Sequence, residues 1–161
     1  LIGAYGEERF AVRIAKRIVA GREQEPIQTT TQLVRIIKEA IPAAARRDGP
    51  HPARRTFQAL RIEVNGELDN LKQAIQDAHD LLAPGGRLII ITFHSLEDRI
   101  VKQAFKQFAL PCVCDPRAPV CSCGKVPTAR VLTSKPVVAG EQELKENTRA
   151  RSAKLRAIRR L

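Results

Sequence analysis

Apolar residues recur at helical spacing through the first half of the chain. Phe10, Ile14 and Ile18 fall every four residues, while Arg9, Arg13 and Lys16 line another face, which predicts a helix from about Gly6 to Arg22. Pro26 breaks it. Thr29-Thr30-Thr31 offers an N-cap for a second, short amphipathic helix that carries Leu33, Ile37 and Ile41 and stops at Pro42. Residues 43–52 (AAARRDGPHP) form a basic loop full of helix breakers. Pro52 suits the first turn of a third helix with Phe57, Leu60 and Val64 on one side. The segment 67–82 (ELDNLKQAIQDAHDLL) repeats the helical pattern with Leu68, Leu71, Ile75 and Leu82. His79, on a helix rich in charge, is expected at the surface.

The texture then changes. Ala83-Pro84-Gly85-Gly86 is a turn, and Arg87–Phe93 is a β-branched apolar run of the kind found in strands buried on both faces inside a parallel sheet. Ser95-Leu96-Glu97-Asp98 resembles a capping box with Asp in place of Glu, with Ser95 as N-cap of a helix running to about Phe108. Residues 67–108 thus read helix–turn–strand–loop–helix, the repeating unit of an α/β layered fold. Residues 111–140 hold five of the ten prolines and all four cysteines, an irregular excursion. Glu141–Asn147 fits a helical turn. Ser152–Arg160 fits either a basic helix or an edge strand with Leu155 and Ala157 inward.

Charge adds a partner class. The net charge is +11, spread as +6 over residues 1–62, −2 over 63–110 and +7 over 111–161. Basic flanks around a near-neutral centre are the electrostatic footprint of a polyanion binder, although an Arg-rich surface alone gives the same sum. The 43% of apolar residues argues against wholesale disorder. The longest apolar run, Leu88–Ile91, is too short to span a bilayer, and no basic segment carries the apolar face and aromatic anchors of a membrane-surface helix. The opening residues LIGAYG show no secretory pattern, and with no Met anywhere the front end reads as cut. The expected location is the cytoplasm.

Several phrases carry a family resemblance. Leu82-Ala83-Pro84-Gly85-Gly86-Arg87-Leu88 is similar to the turn before the fifth strand of class I methyltransferases, where a Gly pair lets the backbone reverse between a helix and a strand. Tyr5-Gly6-Glu7-Glu8-Arg9-Phe10, His51–Ile62, Phe93–Lys102 and Glu146–Arg156 together resemble the ribosomal RNA small-subunit methyltransferase H (MraW) family, with a departure at Thr148, where the family usually has Pro. The resemblance covers nearly the whole chain. It implies an α/β fold: residues 1–65 as part of a helical substrate-recognition insertion, and residues 66–161 as the C-terminal part of a class I, Rossmann-like methyltransferase sheet with the 111–140 excursion. It also implies S-adenosylmethionine as donor, bound by residues upstream of Leu1. No G-x-G-x-x-G opens a helix here, since Gly85-Gly86 precedes a strand.

Candidate binding residues follow from these segments. Arg54, Gln58, Arg61 and Asn65 recur on one stripe of the third helix, with Arg55 at its loop end; the stripe is either a solvated face or a set of guanidinium and amide groups for phosphates and base edges. His94 and Ser95 follow Phe93 at the carboxyl end of the predicted strand, where ligands of open α/β sheets bind. There Phe93 and His94 either stack on and hydrogen-bond a flipped base or serve as core and loop residues. Asn147, Arg149 and Arg151 complete the RNA-facing set, in a tail from Arg149 to Leu161 that holds six Lys/Arg and no acid.

No Ser/His/Asp set or carboxylate pair emerges, so no catalytic, donor-binding or metal residue is assigned. Cys112-Val113-Cys114 and Cys121-Ser122-Cys123 place four thiols in twelve residues. Without a secretion signal, disulfides are disfavoured. Four thiols could hold zinc tetrahedrally, but C-x-C is tighter than the usual C-x₂-C, and the preferred reading is reduced thiols in a loop.

The expected function is N4-methylation of a cytosine in small-subunit (16S) ribosomal RNA, with the ribosomal subunit as partner and no membrane. A cytosine amine is a poor nucleophile, because its lone pair is delocalised into the ring, so the base must be flipped out and aligned. This chain would supply RNA docking and one wall of the base pocket, and alone would be inactive. The alternative is a non-catalytic basic RNA-binding module associated with the ribosome. With one Tyr, five Phe and no Trp, it would not be a stacking platform of the RRM kind. Oligomeric state is left open by the sequence.

Overall fold

The computed structural model describes residues 1–47, 49–115 and 120–161, which divide into two compact units, Leu1–Glu67 and Leu68–Leu161. The first unit is helical: α1 (Ile2–Gly6), α2 (Ala11–Gln24), α3 (Thr30–Ala40), a 3-10 turn at Ala43–Arg46, and α4 (Arg54–Asn65). Thr29 caps α3 as its sequence suggests. The Gln32 N–H donates to Thr29 Oγ1 at 3.2 Å, and the Thr29 N–H donates back to Gln32 Oε1 at 2.9 Å. The periodic residues Ile14 and Ile37 pack with Ile2, Ile41 and Ala53 into a core that Phe10, Ile18 and Leu33 border.

Two readings change in this unit. The expected first helix is split, because Glu7 adopts a left-handed φ of 47° and closes α1 before α2 begins. The buried side of α4 is Thr56, Ala59 and Ile62, with Phe57 partly buried, whereas Val64 is 82% exposed. The cause is a close approach. A Cβ on Gly6 would lie 2.7 Å from the Arg55 carbonyl oxygen and 3.5 Å from Ala59 Cβ, so α1 meets α4 across small side chains rather than large ones.

The second unit contains α5 (Glu67–Leu81, its first residue in the other unit), β1 (Arg87–Thr92), α6 (Ser95–Ala109), β2 (Ala129–Val131), α7 (Glu141–Glu146), a 3-10 turn at Thr148–Ser152 and β3 (Lys154–Arg160). The three strands form one antiparallel sheet in the order β1-β3-β2. Ile75, Val101, Phe105, Ala129 and Ile158 form its core, bordered by Leu71, Leu88 and Ile90.

The parallel strand buried on both faces is therefore corrected: β1 pairs antiparallel with β3, and Ile89 and Ile91 are 55% and 54% exposed. Strand residues alternate between faces, and here only the Leu88/Ile90 face is packed. The ambiguous tail is a strand, central rather than at an edge. Arg156, Ala157 and Ile158 are all buried, so Ala157 is inward as expected, while Leu155 is only partly buried; Leu155 and Ala157 lie opposite Ile91 and Ile89 in register.

Burying Arg156 is made possible by Asp98 on α6. The guanidinium donates from Nε to Oδ1 at 2.7 Å and from Nη2 to Oδ2 at 3.1 Å. The Arg156 hydrogen bond is the main reason the Asp98 carboxyl titrates below its ordinary value, against an opposing effect of burial.

His79 is buried rather than at the surface. Its ring stacks on Phe108 at 3.8 Å between centroids, with Thr128 Oγ1 3.1 Å and Arg160 Nη1 2.8 Å from Nε2. The excursion is also less irregular than its prolines suggest, because it contains β2 and returns through a Thr128 N–H bond to the Phe108 carbonyl at 2.8 Å. Residues 116–119 of it lie outside the described residues.

Candidate nucleic-acid interface

In the helical unit, the α4 stripe divides by partner. The Gln58 amide donates to the Tyr5 carbonyl at 3.4 Å. Arg61 forks onto Glu67 at 2.7 and 2.9 Å, and the Asn65 amide reaches the same carboxylate at 3.0 Å. Arg54 and Arg55 lie at the other end, where Arg55 Nη1 donates to the Glu7 carbonyl at 3.1 Å. Both line a hollow of about 300 Å³ together with Arg9, Phe10, His51 and Glu8. The Arg9 guanidinium sits 4.9 Å from the centre of the Phe10 ring. Cations beside an aromatic ring, in an open hollow, are suited to a phosphate and a base face. The sequence reading missed Arg9, Phe10 and His51 as a group, because they converge only when α1 packs on α4. Their signal was present in the Tyr5–Phe10 and His51–Ile62 phrases, which meet here.

In the other unit, β1 ends at Thr92 and α6 starts at Ser95. The helix is capped by His94, not Ser95. The Glu97 N–H donates to His94 Nδ1 at 3.3 Å, and Glu97 Oε2 accepts from the His94 and Phe93 N–H groups at 3.2 and 2.8 Å. An imidazole nitrogen acts where a Ser or Asp oxygen is commoner, so the box is shifted one residue forward of its expected place. His94 Nε2 lies 3.2 Å from Glu97 Oε1 but is buried without hydrogen-bond geometry to any partner. Phe93, beside it, is 56% exposed. The junction thus holds a fixed imidazole and an uncovered ring.

Asn147 caps the 3-10 turn by accepting the Arg149 N–H at 3.1 Å, which leaves Arg149 and Arg151 on an exposed turn. A second cationic feature emerges from register. Arg159 on β3 lies directly opposite Arg87 on β1 and Arg130 on β2, so three exposed arginines form one rung across the sheet. Like charges directly opposite one another cost stability. Sequence reasoning could not align them, because neither the strand character of 154–160 nor its register was settled. Arg160, by contrast, is engaged with His79.

The Gly85-Gly86 turn does not suit a nucleotide-type ligand. The Gly85 N–H donates to the Arg160 carbonyl at 3.0 Å and the Gly86 N–H to the Ala83 carbonyl at 2.9 Å, so both amides are consumed in closing the turn against β3. The turn also lies at the start of β1, at the opposite end from Phe93. The four cysteines, meanwhile, are unpaired thiols whose sulfurs all lie within 4.8 Å of one another.

The chain matches the model of the MraW methylase family over residues 1–161. It is 61% identical over 158 residues to the ribosomal RNA small subunit methyltransferase H of Symbiobacterium thermophilum, covering 98% of this chain and 50% of that protein. The identity is 57% to the protein of the same name from Ruminiclostridium cellulolyticum and 56% to that from Brevibacillus brevis, each over 161 residues, all of this chain and 51% of the relative. The chain spans about half the length of these curated relatives. A match along its entire length, through the same phrases that build the hollow, the β1–α6 junction and the tail, means that the chain belongs to the MraW methylase family.

Proposed function

We propose that this chain is the RNA-docking and C-terminal sheet half of an S-adenosylmethionine-dependent enzyme that methylates N4 of a cytosine in small-subunit ribosomal RNA. The observation that carries the reading is the family match over all 161 residues, with relatives named as ribosomal RNA small subunit methyltransferases. The donor is assigned to the remaining half of the enzyme, and the Gly85-Gly86 turn, whose amides are used internally, fits that assignment. The uncovered Ile89/Ile91 face and unpaired edge of β1 are where further strands and helices of a Rossmann-like sheet would add. The resulting assembly acts in the cytoplasm, on the ribosomal subunit.

Within this reading, Phe93 stacks on the flipped cytosine while His94 and Ser95, fixed at the start of α6, border its edge. Arg54 and Arg55 hold phosphates beside the hollow, and Arg149 and Arg151 contribute field to the approach. Gln58, Arg61 and Asn65 keep α4 in place against Tyr5 and Glu67.

The arginine rung supports polyanion binding independently. Arg159→Gln should weaken binding to many RNAs alike and flatten the salt dependence by roughly 0.7 per lost single-strand phosphate contact. The same change relieves like-charge repulsion, so the melting temperature should hold or rise. A fall in stability with unchanged RNA affinity would identify the rung as an ordinary solvated face.

Methyl transfer tests the function as a whole. With labelled S-adenosylmethionine, the full-length enzyme should label small-subunit and not large-subunit RNA, whereas the 161-residue chain should bind the donor negligibly by calorimetry. RNA binding without transfer by the full-length protein would favour a non-catalytic module instead.

A further inference from the structure

We propose that Cys112, Cys114, Cys121 and Cys123 form a tetrathiolate site for one Zn²⁺ that staples the excursion between α6 and β2. The sulfur geometry carries the proposal. Cys121 Sγ lies 3.4 Å from Cys112 Sγ, 3.9 Å from Cys114 Sγ and 3.6 Å from Cys123 Sγ, and Cys123 Sγ lies 3.7 Å from Cys112 Sγ. A tetrahedron with Zn–S bonds of about 2.3 Å has edges of about 3.8 Å, so the four sulfurs already stand where a zinc ion holds them. A disulfide needs sulfurs about 2.05 Å apart, and no pair approaches that.

The tight C-x-C spacing, which counted against a metal in the sequence, is resolved by the backbone. Neither 112–114 nor 121–123 is helical, each segment bends at its second cysteine, and all four sulfurs lie within 4.8 Å of one another. Backbone N–H groups turn toward the sulfurs as well. Cys114 N–H donates to Cys112 Sγ at 3.3 Å, Ser122 and Cys123 face Cys114 Sγ, and Val113 and Lys125 face Cys123 Sγ. Gly124, at φ 58°, supplies the left-handed step that brings the Lys125 N–H back to Cys123. Such N–H donors stabilise thiolates, the ligand form, and fix their orientation.

The excursion needs a staple. Val113, Val120 and Val126 are 57%, 76% and 72% exposed, so among the described residues between α6 and β2 these valines form no apolar core, and small segments of that kind are held by metals or disulfides. Its anchors at the α6 end are the Lys125 bond to the Gln107 carbonyl at 2.9 Å and the Thr128 bond to Phe108.

The test is made on the full-length enzyme, purified under reducing conditions without chelator. Elemental analysis should find one zinc per chain that survives dialysis. Replacement by Co²⁺ should give the intense visible bands and sulfur-to-metal charge transfer of a tetrahedral tetrathiolate. Cys121→Ser/Cys123→Ser should lose the metal and become cleavable by protease between α6 and β2, with the far-UV spectrum retained. The cobalt spectrum of the unsubstituted enzyme decides the matter even if the variant fails to fold. Substoichiometric zinc, four freely reactive thiols and no cobalt–thiolate bands would overturn the proposal, as would disulfides found by non-reducing peptide mapping.

Discussion

Asp98→Ala should destabilise the Leu68–Leu161 unit by about 3–5 kcal/mol, because it strands the Arg156 guanidinium in the interior. Arg156 and Asp98 side chains are 8% and 13% exposed, and both nitrogen–oxygen contacts of the fork are made. Lys154 Nζ, 3.8 Å from Asp98 Oδ2, is a second cation drawn to the same carboxylate and so cannot replace it as a partner for Arg156. Replacing both residues by apolar ones of similar size, as in Asp98→Leu/Arg156→Met, should recover much of the loss, since neither charge then remains buried alone.

The same pair sets a pH dependence. The folded Asp98 carboxyl is depressed, chiefly by its hydrogen bonds from Arg156, so the unfolded chain takes up the proton first as pH falls. The stabilisation is complete above the unfolded carboxylate value of about 3.9 and drains away as pH falls through the folded value. Asp98→Asn should therefore melt lower than the unsubstituted protein at neutral pH, with the difference shrinking in acid. A constant difference from pH 7 down to strong acid would show that the ion pair is not the cause.

Phe93→Ala should have the largest effect on activity. A stacked base is worth about 1–3 kcal/mol, so methylation by the full-length enzyme should fall on the order of 10–100-fold, and Phe93→Tyr should keep most of the rate. Because the ring is 56% exposed, the melting temperature should scarcely move. Undiminished methylation by Phe93→Ala would remove Phe93 from the base pocket.

Local signals in the sequence carried far. Ile14, Ile37 and Ile75 mark core faces by period alone, Thr29 announces its helix, and the Ile run is a strand. Tertiary pairings were hidden. Lys154–Arg160 has the composition of a surface segment until Asp98, 58 residues away, neutralises Arg156 and the strand can become central. His79 looked exposed for the same reason: its partners Phe108, Thr128 and Arg160 come from three other segments. On α4, side-chain size pointed to Phe57, Leu60 and Val64, whereas the close contact at Gly6 selects Thr56, Ala59 and Ile62. The cation–aromatic hollow and the arginine rung likewise exist only through α1–α4 packing and strand register.

The identity of the modified nucleoside decides the central claim. Small ribosomal subunits lacking the modification, incubated with the full-length enzyme and S-adenosylmethionine, would be digested and their nucleosides separated by mass spectrometry. One new methyl on the exocyclic nitrogen of a cytidine, formed on the order of 10–100-fold more slowly when the enzyme carries Phe93→Ala, is the predicted result. A methyl on another nucleoside or on the cytosine ring, or no modification at all, would contradict it.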